Sequence, residues 1–299
     1  MPELPEVEVL VRHLAAVVPG KHVIDVRVFR EKVVRPTTTV ELVAALKGST
    51  FCGVRRRGKY LLFDLATSSA SPGAELQILG HLGMTGRMFV VPKAVPLPKH
   101  AAVVFDLGNE HFVFEDTRYF GRLTLDLSPL EQLGPEPLDR SFTARVLAGA
   151  LARSSQPVKI KLLDQRVVAG VGNIYASEAL ARAGIHPKTP SRSLNLEQTQ
   201  RLWRAIRRVL REAIAAGSTV PLDFEGTGAR DGLFYYGRSA ATPESYTERL
   251  RVYGRQGEPC GRCGEPIERI FLAGRSTFFC PQCQVMSRTT RRRRTRRAR

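Results

Sequence analysis

Near residue 130 the apolar residues of this chain pass from a strand period to a helical one, and that change limits the fold more than any single motif does. Through residues 21–126 they alternate with polar residues or come in short runs, as in HVIDVRVF, YLLFDL, RMFVV, AAVVFDL and HFVFED. Turn-like SSASPG and PKAVPLPK separate these runs, so the stretch reads as strands with a buried face. After the proline-rich SPLEQLGPEPLDRS the spacing becomes helical, over 142–151, 158–168, 174–183 and 196–216. One more helical stripe opens the chain, carried by Val7, Leu10, Val11, Leu14, Ala15 and Val18. Strands followed by helices predict an α+β chain. An opening helix would pack on an antiparallel sandwich or barrel, followed by a helical domain. At 299 residues there is room for both and for a small module.

That module announces itself as CGRC and CPQC separated by 16 residues, giving Cys260, Cys263, Cys280 and Cys283. Four thiolates in two knuckles suit a closed, tetrahedral structural zinc better than an iron–sulfur site or free thiols. One Zn2+ is expected, organising the fold without activating water, and no catalytic cofactor. Between the knuckles, IERIFLAGRSTFF reads as a hairpin with Arg275 at its turn, facing solvent or entering DNA. The remaining cysteine, Cys52, reads as a small buried apolar residue.

Charge narrows the partner. The net charge is +18, and eight arginines fall between Arg288 and Arg299; without them the remainder still carries +10. A basic body with a basic tail predicts a polyanion, with the tail a disordered, sequence-blind tether to phosphates. The arginines of the 196–216 stripe (Arg201, Arg204, Arg207, Arg208 and Arg211) read as a solvated face. No spanning helix or signal peptide is evident, and the cysteine usage suits the cytosol.

Three further stretches carry chemistry. The sequence opens MPELPEVEV, so removal of Met1 would leave Pro2 as a free secondary amine beside Glu3. Read alone, this is helix punctuation, with proline and acids in a first turn. In LDQRVVAGVGNIYASEAL, Gly170 and Gly172 flank a turn and Asn173 opens a helix. Amides at such an N-terminus could dock a DNA phosphate. GHLGMTG and EDTRYFG offer Met84 and Phe120 as apolar wedges and Arg118 as a filler, although core packing would also explain Met84 and Phe120.

PELPEVE, RRGKYLL, HLGMTG, DTRYFG, LLDQRVVAGVGNIYASEAL with AGIHP, and the finger ending GRSTFFCPQCQ occur in this order. Together they resemble formamidopyrimidine-DNA glycosylase, the bacterial family that excises oxidised purines such as 8-oxoguanine. The resemblance spans about residues 2–284. The sister endonuclease VIII type usually opens PEGPE and lacks the Met and Arg-x-Phe wedge.

The resemblance implies a bifunctional glycosylase and abasic-site lyase of base excision repair. It implies an N-terminal helix plus β-sandwich domain over 2–130, a linker over 131–141, and a helix-two-turn-helix domain over 142–247. A lesion-capping loop would occupy about 217–245, the zinc finger 248–286 and the disordered tail 287–299. Pro2 would be the nucleophile, Glu3 the general acid/base and Glu6 its support. Lys59 would assist β-elimination, and Arg275 phosphate binding and δ-elimination. Met84, Arg118 and Phe120 would fill the gap left by the flipped base; His100, Lys159 and Asn173, and more loosely Arg153, would contact DNA phosphates. The expected partner is damaged double-stranded DNA, bound by a monomer with no membrane, in the bacterial cytoplasm at the nucleoid. Departures from the family pattern are Leu222 in a lengthened STVPLDF loop, Thr117 where proline is common, and the arginine tail. A non-catalytic architectural binder fits the zinc and charge equally well but has no use for Pro2 and Lys59. An enzyme for oxidised pyrimidines is the third reading.

Overall fold

In the computed structural model, which describes residues 2–67, 75–217 and 250–286, helix α1 (Leu4–Val17) begins where the Glu3 N–H donates to Glu6 Oε2 at 2.8 Å. The apolar stripe of α1 is divided between two cores. Val7, Leu10, Val11 and Leu14 pack into the β-rich part, whereas Leu4 packs with Val168, Val171 and Tyr175 of the helical part. The helix therefore holds its own N-terminus at the junction of the two.

The β-rich part is a sandwich. One antiparallel sheet runs β1 (Asp25–Val28), β6 (Ala101–Asp106), β7 (Glu110–Asp116), β5 (Gly86–Pro92). The other runs β2 (Thr50–Arg57), β3 (Tyr60–Ala66), β4 (Glu75–His81), β8 (Arg122–Thr124). Phe51 and Phe63 of the second sheet meet Phe105 and Phe112 of the first, with ring centroids 5.4–6.0 Å apart across the set. Tilted and edge-on contacts of this kind are the favoured aromatic geometry.

Three elements of this half lacked a legible pattern. Helix α2 (Thr39–Leu46) interrupts the strands, started by a Thr38–Glu41 capping box. Strand β2 ends in three arginines because its last residues grip other segments. Arg57 donates to Leu133 O and Gly134 O, and both Arg57 and the Gly58 N–H donate to Glu136. Strand β4 follows SSASPG, which lies outside the described residues. Cys52 corrects an expectation. It is exposed, at the register shift between Phe51 and Gly53 where β2 bulges.

The helical part holds α3 (Ala144–Ala152), α4 (Val158–Leu163), α5 (Asn173–Ala183) and α6 (Leu196–Ala215). Helix α4 stops short of residue 168. The Asp164 carboxylate accepts from the Arg166 N–H and turns the chain into an irregular stretch ending at the Gly170–Gly172 turn. Leu202, Ile206, Val209, Leu210 and Ala213 are buried, as their spacing predicts. Arg207 does more than face solvent, since it donates to the carbonyls of Pro137, Leu138 and Asp139 and ties down the interdomain connection.

The last part is a hairpin of β9 (Glu268–Leu272) and β10 (Arg275–Phe279). Its turn is Ala273–Gly274, both with positive φ, so Arg275 is the first residue of β10 rather than a turn residue. The lesion-capping loop beyond Gly217, with Leu222, and the 287–299 tail lie outside the described residues.

Candidate active site

Pro2 and Glu3 are buried where α1 meets the first turn of α5. The Glu3 carboxylate accepts the N–H groups of Gly172 at 2.7 Å, Ile174 at 2.8 Å and Tyr175 at 3.3 Å. The N-terminus of α5 is thus taken by the chain's own acid, 169 residues away. This overturns the expectation that these amides cradle a DNA phosphate. The positive end of the helix is still used for an anion, but an internal one.

Two glycines make this approach possible. Gly170 has φ +83°, its carbonyl accepts the Leu4 N–H at 3.0 Å, and a Cβ there would lie 2.6 Å from Leu4 Cβ. A Cβ on Gly172 would lie 2.3 Å from Glu3 Cδ. Gly172→Ala is therefore expected to push Glu3 off the helix, destabilise by about 1–3 kcal/mol through overpacking, and impair activity. Urea unfolding and an activity assay on the same protein check it.

Glu6 lies beneath Glu3, with Tyr175 Oη donating to its Oε1 at 2.6 Å. Burial, and secondarily the Glu3 charge, push Glu6 up to about 6 from an ordinary 4.5. As pH rises, the unfolded chain releases this proton first. The stability Glu6 contributes is present below about 4.5 and is lost as pH climbs through about 6. Glu6→Gln can keep both hydrogen bonds, accepting from Glu3 N–H and donating to Tyr175. It should be the more stable protein above pH 6, by about 2 kcal/mol at most, and urea titrations at pH 4.5 and 7.5 would reveal it.

Lys59 sits in the two-residue β2–β3 turn with Gly58 and is only 6% exposed. Burial lowers its pKa, the Glu3 charge opposes that, and Arg275 lowers it again. Lys159 is wholly buried and is pushed down to about 7 by burial, with Glu3 and Arg275 again its charged neighbours. Pro2, Glu3, Glu6, Lys59, Lys159 and Arg275 thus converge on one locus.

The expected phosphate contacts fare differently. Lys159 Nζ donates to Ser276 O at 3.1 Å and Thr277 Oγ1 at 2.8 Å, and Asn173 Nδ2 donates to Ser276 O at 3.0 Å. Both residues brace the hairpin beside Arg275, and Lys159 offers no exposed surface to a phosphate here. His100 contacts Tyr119 Oη at 3.4 Å. Arg153 is exposed at the C-terminus of α3 and makes no ion pair among the described residues. Met84 and Phe120 are 40% and 46% exposed, which excludes the core-packing explanation. Arg118 lies over the Phe120 ring at 4.7 Å, and Lys32 also contacts it at 5.5 Å.

His81 has no role in the sequence reading. It opens HLGMTG, and burial, then the charges of Lys59 and Arg122, hold it down at about 4. It stays neutral beside Lys59, its Nδ1 accepting from the Gly83 N–H. Its place in a glycine-flanked motif was the available signal.

The four finger cysteines place their sulfurs within 4.8 Å of one another, close to the ~3.8 Å edge of a tetrahedral ZnS4 site. Burial, then the neighbouring cysteines, push the Cys283 thiol up to about 12. Four thiolates at this spacing require a cation, and the set fits one structural zinc. The finger rests on α5, because the Glu178 carboxylate accepts the N–H groups of Arg251, Val252 and Tyr253 and Gln284 donates to Ile185 O.

Three family models match the chain: the formamidopyrimidine-DNA glycosylase N-terminal domain over residues 1–123, the formamidopyrimidine-DNA glycosylase H2TH domain over 133–223, and the zinc finger found in FPG and IleRS over 257–285. The formamidopyrimidine-DNA glycosylase of Moorella thermoacetica is 45% identical over 278 residues, covering 90% of this chain and 94% of the relative. That of Carboxydothermus hydrogenoformans is 38% identical over 284 residues, covering 95% and 100%. Among solved structures, a Lactococcus lactis Fpg mutant in complex with Fapy-dG containing DNA aligns with TM-score 0.81 at 32% identity, covering 95% of this chain and all of that one. The wild-type Lactococcus lactis protein complexed with an oxidised pyrimidine containing DNA aligns equally well, with TM-score 0.81 and the same identity and coverage.

Proposed function

Because the chain belongs to the formamidopyrimidine-DNA glycosylase family and is a DNA glycosylase of base excision repair, we propose that it removes oxidised purines from duplex DNA through a Schiff base at Pro2 and then cleaves the strand by β,δ-elimination. The observation that carries this reading is the convergence of Glu3, Glu6, Lys59 and Arg275 beside a buried Pro2. An α-amine has a pKa of about 8, so an appreciable fraction is neutral near pH 7. Attack of the Pro2 nitrogen on C1′ displaces the damaged base. Opening of the C1′–O4′ bond, with a proton delivered to O4′, then leaves a cationic iminium, an electron sink for loss of the phosphates.

Glu3, held by three amides of α5, is the group placed to move protons at the sugar and base. Lys59, with its lowered pKa, is suited to proton abstraction in the β-elimination. Arg275 stands ready for a phosphate, steadied through Ser276 by Lys159 and Asn173. The exposed Met84, Arg118 and Phe120 occupy the space from which a base is extruded, offsetting part of the few kcal/mol of unstacking. The duplex lies in the cleft between the sandwich, ending near residue 130, and the helical part from 142. The enzyme works as a monomer in the bacterial cytoplasm, on nucleoid DNA; among the described residues no helix is long and apolar enough to cross a membrane.

One experiment tests the reading. Duplexes carrying 8-oxoguanine, a formamidopyrimidine or an oxidised pyrimidine are incubated with the untagged protein, and base release and strand cleavage are followed separately. Faster release of the purine lesions is expected. Preference for the pyrimidine would transfer the assignment to that class, a possibility kept open by the oxidised pyrimidine in the DNA of a similar structure. Tight binding with no release would leave an architectural protein.

A further inference from the structure

We propose that Asp116 is a positioning residue that locks the two wedge-bearing loops into one rigid unit, so that Met84, Arg118 and Phe120 enter the duplex together. The inference rests on the function proposed above, since a wedge matters only to a protein that extrudes a base.

Met84 belongs to the connection between β4 and β5, and Arg118 and Phe120 to that between β7 and β8. These loops are far apart in sequence, and two features join them. The first is steric. A Cβ on Gly83 would lie 2.6 Å from Gly121 N and 2.6 Å from Phe120 C, so the loops touch backbone to backbone. The second is the Asp116 carboxylate, which is 0% exposed. Its Oδ1 accepts from the Thr85 hydroxyl and from the Arg118 N–H at 3.1 Å, and its Oδ2 accepts from the Gly121 N–H at 2.7 Å. Thr85 Oγ1 in turn accepts from the Arg118 N–H at 3.2 Å.

These bonds tie the residue after Met84 to the two ends of the Arg118–Gly121 turn. Between those ends sits Tyr119 with φ +53°, a left-handed conformation unusual outside glycine. That twist leaves Phe120 exposed on one side of the turn while Tyr119 packs on His100 and Arg30. Backbone strain of this kind persists only where surrounding bonds over-determine it. Asp116 supplies them from both flanks. A carboxylate is the side chain the site requires, because both of its oxygens face donors. Asparagine would turn its NH2 against either the Gly121 or the Arg118 N–H. A wedge ordered before it meets DNA loses no freedom on insertion.

Asp116→Asn and Thr85→Val test the assignment in the full chain. Two rates are read: single-turnover excision of a lesion paired in duplex, and borohydride trapping on single-stranded abasic DNA, where there is no base to extrude and no stack to fill. For Asp116→Asn, excision from duplex should fall about ten- to hundredfold, while trapping on the single strand changes by less than about twofold. Thr85→Val should show the same split with a smaller drop. Equal losses on both substrates would overturn the proposal in favour of a general structural role, and parental rates on duplex would overturn it too. If Asp116→Asn does not fold, Thr85→Val decides by the same two readouts. A parent protein that neither excises nor traps would sink the functional reading and this inference with it. An active parent with variants indistinguishable from it would sink the inference alone.

Discussion

Protein that keeps Met1 ahead of Pro2 gives no borohydride-trapped adduct with an 8-oxoguanine duplex, and its excision rate falls by at least about a thousandfold. Acylation by Met1 converts the Pro2 nitrogen to a tertiary amide, whose lone pair is delocalised and cannot attack C1′. Nothing else at the locus replaces it. Lys59 is an amine, but it is buried in the β2–β3 turn, where the Glu3 and Glu6 charges favour its ammonium form. Affinity for the duplex should change far less, because it rests on cationic contacts to phosphates spread over the surface. Peptide mapping of the trapped species by mass spectrometry, with and without Met1, measures this directly. A normal yield of adduct from the Met1-bearing protein would remove Pro2 from the mechanism.

The second large effect follows from the finger. Among the described residues its apolar cluster is small, Val252, Ile267, Phe278 and Cys280, with Ala181, Tyr253, Cys260 and Cys283 packed around them. A cluster of that size does not hold a fold alone. Structural zinc contributes about 10–16 kcal/mol in finger peptides near pH 7, so chelation or Cys280→Ser should unfold residues 250–286. The damage would reach the active locus. Ser276 would leave Lys159 and Asn173, and Arg275 would lose its place. Lys159 would lose both of its acceptors, Ser276 O and Thr277 Oγ1. Strand cleavage should fall by about a hundredfold or more, and zinc should restore it to the chelated protein. Hydrogen exchange across β9 and β10 reports the unfolding; retained protection after complete metal removal would contradict this account.

How much of the fold and of the active locus is legible in the sequence depends on the range of the interactions involved. Strands β5, β6 and β7 are legible as short apolar runs because both faces of each are buried, one with Met88, Val103, Phe105 and Phe112 and the other with Phe89, Val91, Val104 and Val113. Strand β2 is not, because Arg56 and Arg57 point at Glu136 and the linker carbonyls instead of following an in–out pattern. Helix α2 is short and sits among strands, where eight residues are too few to establish a period. Met84 and Phe120 could belong to the core as far as the sequence shows, and only their exposure excludes it.

The sequence by itself determined what depends on near neighbours along the chain: the strand and helix periods, the capping signals, the two cysteine knuckles and the motif order that resembles one family. Tertiary structure alone decided which distant groups those elements bring together. The α5 amides carry no local mark saying whether they will meet a phosphate or Glu3. Lys159 likewise could not show that it ends beneath Ser276, nor Asp116 that it joins two loops. A backbone donor accepts any partner of suitable geometry, so its partner is set only when the whole chain has packed.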